Sequence, residues 1–511
     1  MRESRLLPGS PPDHGPAGLP HTGRHDARPR SGGGPAGARL WPAAVAAVFV
    51  TAQLTLVAPG LGLGWDETVY VSQVGRQGPA AFFSAPRARG ITFLAAPVAA
   101  VTTSTGALRV WLAVLSGVGL FLALRAWRAL LPAPVLALAG ALFATLWFTL
   151  YYGPQAMPNL WVAYGALAAA GFFLRAVRDP GDSRALVGLG VAVGWVALMR
   201  PPDAVWLVLP LAGASLLVRA WRRPVLLCVL AAGALAGGAE WLVEAYVRYG
   251  GLAARLRRAG EIQGGLGWYV AVDDHVRALG GRTLCRPCDV PWRHPVTALW
   301  FLALPLLVAG GVRAAVRTPH RTAVNAAAVT GLVLALPYLF TVDYAAPRFL
   351  LPAYALLALP VAVLLVRLVR LRTAWRPALV GLCALALAGH LLVQYTVLGS
   401  VTRRVRADTV THARIVAVLR AHGVRPPCVV TGEEAVRLAY RAGCASRQPG
   451  GPDASITPAG LARTALRQPV AVLLSHGRPA PAYARGWPSH PLPDLPRRPD
   501  FRVLVSPSAK P

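Results

Sequence analysis

The feature that most limits what this chain can become is a series of apolar stretches, each close to the length of a membrane-crossing helix. A bilayer core of about 30 Å takes roughly 20 residues of helix. Stretches of that order recur near 41–59, 108–128, 134–151, 157–175, 185–200, 203–219, 224–246, 296–313, 322–340, 348–367 and 377–398. They predict an all-α polytopic membrane protein of about 11 transmembrane helices. Pro and Gly inside several stretches are tolerable, because neighbouring helices can accommodate a freed backbone group. Composition agrees: 55% of the residues are hydrophobic and only 14% are charged.

A formal net charge of +31 could suggest a nucleic-acid partner. The arginines, however, lie between apolar stretches and are not clustered on a soluble module, so no nucleic acid is expected. Lys510 is the only lysine, which points to a coding bias more than to a function. Alternate loops, "RAWRALLP", "RAVRDPGDSRA", "RAWRRP", "RAAVRTPHR" and "RLVRLRTAWR", are rich in Arg, whereas "YYGPQAMPN" and "TVDYAAP" have none. The positive-inside rule puts the first set in the cytoplasm together with the N-terminus. Residues 1–39, dominated by Gly, Pro, Arg and His, predict a disordered cytoplasmic tail. The apolar run from Leu40 starts too far from Met1 for a cleaved signal peptide and predicts a retained first span. A membrane domain over 40–399 then leaves loops 60–107 and 247–295, and the tail 400–511, on the outer side.

In that tail, "HARIVAVLRAHGVRPPCVVTGEEAVRLAYRAGC" reads as a helix ended by Gly423, a strand, and a second helix near Glu433, with "PVAVLLS" and "FRVLVS" as further strands. This predicts a small extracytoplasmic α/β subdomain. An oxidising exterior favours disulfides, Cys428 with Cys444 and Cys285 with Cys288. Zinc is the alternative for these four, without a supporting His pattern. Cys228 and Cys383, inside spans, are expected to be buried small apolar residues.

Just past the first span, "GLGWDETVYVSQVGRQGP" carries an adjacent acidic pair, Asp66 and Glu67. Val69, Tyr70 and Val74 fall near one helical face, so the segment could lie along the membrane surface and hold Asp66 at the bilayer boundary. A first span followed by "WDETVY" resembles the polytopic glycosyltransferase C superfamily, in particular its protein O-mannosyltransferase and aminoarabinose-transferase branch. The next segment, "RARGITFLAAPVAAVTTSTGALRVWLAVLSG", resembles that branch's basic segment and second span, with Arg109 at the start of the span. "DYAAPRFLLPAYALLALP" resembles its final motif.

The resemblance implies transfer of a sugar from a polyprenyl-phosphate donor to an acceptor on the outer face. An acceptor hydroxyl is a poor nucleophile, so a carboxylate must take its proton; Asp66 is the candidate base. The departing phosphate needs guanidiniums, for which Arg348 is the first candidate, followed by Arg87 and Arg89, with Arg200 also within plausible reach. A single displacement would invert the anomeric centre. Glu67 could orient Asp66, share a divalent cation with it, or face water; no other cofactor is implied. The turn "YYGPQAMPN" lacks the acidic residue of many relatives, and Asn159 cannot replace it as a base.

Glu240, Glu244 and Arg248 sit one helical turn apart and are expected to pair. Asp273, Asp274 and His275 could contact a metal or the acceptor, or simply form a solvated loop. The expected partners are membrane lipid, a polyprenyl-phosphate-linked sugar, and as acceptor a carbohydrate of a bacterial envelope or a secreted protein. The alternative is a non-catalytic lipid-linked-sugar binding protein, or a flippase or transporter. Against a transporter, the spans are dominated by Ala, Leu, Val and Gly, with acidic residues near their outer ends.

Overall fold

The computed structural model describes residues 37–265, 267–292, 294–475, 477–495 and 500–509. The tail expected over 1–39 lies outside these residues except for 37–39, which already belong to the first helix. In chain order the helices are α1 (Gly37–Ala52), α2 (Trp65–Ser72), α3 (Gly90–Ala99), α4 (Thr105–Arg125), α5 (Ala133–Ala144), α6 (Trp147–Tyr152), α7 (Pro158–Arg178), α8 (Ser183–Met199) and α9 (Pro201–Leu217). After them come α10 (Pro224–Tyr249), α11 (Leu252–Gln263), α12 (Val272–Leu279), α13 (Leu299–Ala315), α14 (Arg321–Phe340), α15 (Leu351–Arg370), α16 (Arg376–Ala421), α17 (Ala435–Ala442) and α18 (Pro458–Ala465).

Among the described residues, eight helical segments are long and apolar enough to cross a membrane, which makes this a multi-pass membrane protein. The shorter apolar helices α5, α8 and α9 coincide with three further expected stretches. The loops after α4, α7, α9 and α13 meet at one end of the bundle. There Arg178 donates to the Ala129 carbonyl, Arg223 to that of Ala176, and His320 Nδ1 lies 2.8 Å from the Leu130 carbonyl oxygen. The acidic pair and the C-terminal subdomain occupy the other end, called here the subdomain end.

Small residues let two helices approach closely. Gly190 and Gly194 on α8 face Gly233 and Gly237 on α10, each pair spaced by four residues as in the small-xxx-small pattern of membrane helices. A Cβ on Gly237 would stand 1.9 Å from the Gly194 carbonyl oxygen, and one on Gly233 2.5 Å from that of Gly190. Backbone cannot yield as a side chain can. Gly237→Val is therefore expected to destabilise the fold by about 1–3 kcal/mol, the usual cost of overpacking. A thermal-unfolding midpoint in detergent equal to that of the wild type would contradict this.

The last span and the first helix of the tail are one helix: α16 runs unbroken for 46 residues, past the expected domain boundary near 400. The stretch "GSVTRRVRADTVTHARIVAV" becomes polar but contains no proline, so leaving the membrane does not require the helix to end. Its far end supplies Ile415 and Leu419 to the subdomain core, where they join Val430, Leu438, Leu473 and Val503. The subdomain sheet comprises β1 (Val429–Gly432), β2 (Ala445–Ser446), β3 (Val470–Leu474), β4 (Ser489–Pro491) and β5 (Arg502–Val505), in the order β2-β1-β3-β5-β4. β1 pairs in parallel with β2 and β3, while β5 runs antiparallel to β3 and β4. Central β3 is buried along its whole length, which explains why "VAVLL" is continuously apolar.

Two expectations are corrected here. α2 does not offer an apolar face to lipid: Val69, Tyr70 and Val71 are all buried, with α3 on one side and α17 of the subdomain on the other. Cys228 is exposed and Cys383 only half-buried, because an apolar residue in a span can satisfy itself against lipid as well as against protein. Cys285 is bonded to Cys288, and Cys428 to Cys444.

Candidate active site

A cavity of about 540 Å³ opens at the subdomain end. Its walls come from the start of α2, the Tyr151–Gln155 turn, residues 281–284, Arg348, one face of α16, and Glu434 and Arg437 of the subdomain. Asp66, in the first turn of α2, projects onto this wall. Its Oδ1 accepts from Arg87 Nη1 at 2.9 Å and its Oδ2 from Arg348 Nη2 at 3.2 Å. The side chain keeps 32% of its surface open. Burial pushes the Asp66 carboxyl up, but the Arg87 and Arg348 guanidiniums outweigh it and hold the group below the usual aspartate range.

Arg348 is positioned by more than its ion pair. Its Nη1 donates to the Thr283 carbonyl at 2.8 Å and to the Tyr152 hydroxyl at 3.1 Å, and its plane lies over the Tyr152 and Phe349 rings. Its Nε is buried with no protein partner among the described residues. Arg87 is oriented by Nε donating to Ser84 Oγ at 3.0 Å and by the Tyr70 ring beneath it.

Glu67 does not face water; it is 1% exposed. Its Oε1 accepts from Arg109 Nη1 at 2.5 Å and from the Ala156 N–H at 2.8 Å. Its Oε2 accepts from Arg109 Nη2 at 2.8 Å and from the Gly64 N–H at 2.9 Å. Arg109, fully buried, also donates to the carbonyls of Gly62 and Pro154. The pair therefore ties three segments together directly beneath Asp66: the turn before α2, the start of α4, and the turn before α7.

The other candidates are dispersed. Arg89 turns away from Asp66 to Glu240 and Glu244, at 3.2 and 2.6 Å. Glu244 also binds Arg255 at 2.9 Å, closer than the 3.5 Å to the expected partner Arg248. Arg255 comes from a loop helix whose position the sequence pattern could not supply. Arg200 pairs with Asp203 at 3.1 Å and lies over the Tyr338 and Phe349 rings, with its field still reaching Asp66. Asp273, Asp274 and His275 do not converge. Asp273 binds Arg277 and the Trp292 indole, while His275 is buried with Nε2 3.2 Å from the Tyr338 carbonyl oxygen. Among the described residues no three His, Cys, Asp or Glu side chains are grouped to hold a metal ion.

One carboxylate near Asp66 was not anticipated. Asp453, in the subdomain, lies beside Trp65 and within the electrostatic reach of Arg87 and Asp66. It is 9% exposed and its Oδ1 has no partner among the described residues. Burial pushes its carboxyl above the usual range, with Arg87 pulling partly back. No local pattern in "GGPDASITP" marks it, since only the packing of the subdomain onto α2 brings it there.

The fold as a whole is similar to those of solved structures. The structure of ArnT from Cupriavidus metallidurans bound to undecaprenyl phosphate aligns over 93% of this chain and 99% of that one, with a TM-score of 0.64 and 13% identity. Its apo state aligns over the same shares, with a TM-score of 0.59 and 14% identity. The Archaeoglobus fulgidus oligosaccharyltransferase tethered with an acceptor peptide covers 85% of this chain and 69% of its own, with a TM-score of 0.50 and 14% identity. No protein-family model matches the chain. No curated protein matches it either.

Proposed function

We propose that the protein is a membrane glycosyltransferase that moves a sugar from a polyprenyl-phosphate donor to an acceptor on the outer face, through eleven spans with the N-terminus in the cytoplasm and the subdomain outside. The observation that carries this reading is Asp66, one carboxylate held by two guanidiniums on the wall of a large cavity. The likeness to structures solved with undecaprenyl phosphate or an acceptor peptide supports it.

In the proposed reaction the acceptor oxygen bonds to the anomeric carbon as its proton passes to Asp66. The bond from that carbon to the phosphate oxygen breaks, leaving its electron pair on the phosphate beside Arg348 and Arg87. The anomeric centre inverts. An arriving phosphate competes with Asp66 for both arginines. Donor binding thereby loosens the clamp and raises the proton affinity of the carboxylate when a base is required. Glu67 acts through Asp66 as a positioning residue. A bacterial envelope glycan is the favoured acceptor, with a secreted protein second.

The test is transfer of label from radiolabelled polyprenyl-phosphate sugars in membranes containing the protein. Arg348→Gln is expected to lower transfer about 100-fold, the scale seen when a donor to a developing oxyanion is removed. The clamp on Asp66 also suits a protein that binds lipid-linked sugar without turning it over. Donor binding with no transfer to any envelope fraction would favour that second reading.

A further inference from the structure

The segment joining α11 to α12 crosses the end of α14. The Tyr269 N–H donates to the Phe340 carbonyl at 3.0 Å and the Ala271 N–H to that of Leu339 at 2.9 Å. His275 takes the Tyr338 carbonyl, and Thr341 takes that of Pro337. The last carbonyls of this span are thus all occupied, that of Pro337 by the helix's own cap residue and the next three by His275 and the segment. This fixes residues 267–271 as a strap at the depth where α14 ends.

The strap turns three successive apolar or aromatic side chains outward. Trp268 is 79% exposed, Tyr269 38% and Val270 66%, whereas Ala271 is buried. The Trp268 ring stacks on Phe340 with centroids 5.6 Å apart. Below Phe340, one side of α14 carries the exposed residues Val329, Leu332 and Leu336, so the strap caps an apolar stripe facing lipid. Trp292, 45% exposed, adds a second ring held against α12, its indole N–H donating to Asp273 Oδ1 at 2.8 Å. An indole with a polar group on its N–H and its ring exposed is the form tryptophan takes at a membrane–water boundary.

We infer that the strap 267–271, with Trp292, is an interfacial anchor seated among the lipids of the leaflet at the subdomain end. The occupant is lipid because the patch continues the lipid-facing stripe of α14 without a polar break. Left in water it would be an exposed apolar surface of the kind soluble regions avoid. The anchor also bears on the cavity. From the strap the chain passes through α12 to 281–284, which form part of the cavity wall, and Thr283 supplies the carbonyl that holds Arg348. Cys285 then exchanges both backbone hydrogen bonds with Ala345, two residues before Pro347. Seating the strap in lipid therefore sets the depth of one wall of the site. This holds whether or not the cavity turns over a sugar.

The test uses the full chain carrying Cys228→Ala and Cys383→Ala, with Trp268→Cys labelled by an environment-sensitive fluorophore and reconstituted in phosphatidylcholine vesicles. The expected result is blue-shifted emission, quenched by lipids bearing a nitroxide on the upper acyl chain and insensitive to aqueous iodide. Val270→Cys, which keeps Trp268, should behave alike. Arg258→Cys on the exposed face of α11 should show the reverse. Iodide quenching at both 268 and 270 would put the strap in water and overturn the inference. Protection from both quenchers would mean that protein covers the patch, a second copy or another partner, and would overturn it equally.

Discussion

Asp66→Asn is expected to lower sugar transfer at least about 100-fold while the protein remains folded and inserted, because general-base assistance contributes roughly 10²–10⁴. The change is nearly isosteric. It leaves an oxygen to accept from one arginine but removes the charge that both arginines neutralise and the group that takes the proton. The pH dependence should carry a further signature. In the free protein Arg87 and Arg348 outweigh burial and lower the carboxyl's pKa, so the ionised form persists below the ordinary aspartate range. The acid limb of kcat/KM, which reports the free enzyme, is therefore expected below that of kcat, which reports the complex after phosphate has drawn the arginines away. The same depression makes the ion-paired form a contribution to stability. That contribution is present above the unfolded pKa and lost as pH falls through the lowered folded value. Equal transfer by Asp66→Asn and wild type would leave Asp66 a structural counter-ion to two arginines.

The largest stability effect is expected at Glu67 and Arg109. Removing either partner strands a buried charge, at a cost of about 3–5 kcal/mol. Even Glu67→Gln should be poorly tolerated. All four contacts to the Glu67 oxygens come from N–H donors, so an amide would set its own N–H groups against at least one of them. Replacing both residues by Leu should recover only part of the loss, because Arg109 also serves the Gly62 and Pro154 carbonyls, which would then be buried without donors. Thermal unfolding of the two single variants and the double variant measures this coupling. Loss of transfer at Glu67 beyond the fraction unfolded would support its role in positioning Asp66. Single variants as stable as the wild type would remove the pair from that role.

Much of the architecture was legible in the sequence because it follows from solvent. A helix in lipid must be apolar along about 20 residues, so candidate spans are written locally. The strands Val429–Gly432, Val470–Leu474 and Arg502–Val505 were visible for the same reason, as short apolar runs between turn residues. The adjacency of Asp66 and Glu67 was visible too, but not their division of labour. Only the approach of Arg109 and the Ala156 turn buries Glu67 and leaves its neighbour on the cavity wall. Arg87 and Arg89, two residues apart, part company because Glu240 and Glu244 claim one of them. Asp453 comes to Asp66 from nearly four hundred residues away, carried by a subdomain core whose first residues belong to the end of α16. The sequence by itself determined which segments enter the membrane, since transfer free energy is summed along a short window. Tertiary structure alone decided which charges meet, since Coulomb energy and hydrogen bonding depend on separations of a few ångströms between residues distant in the chain.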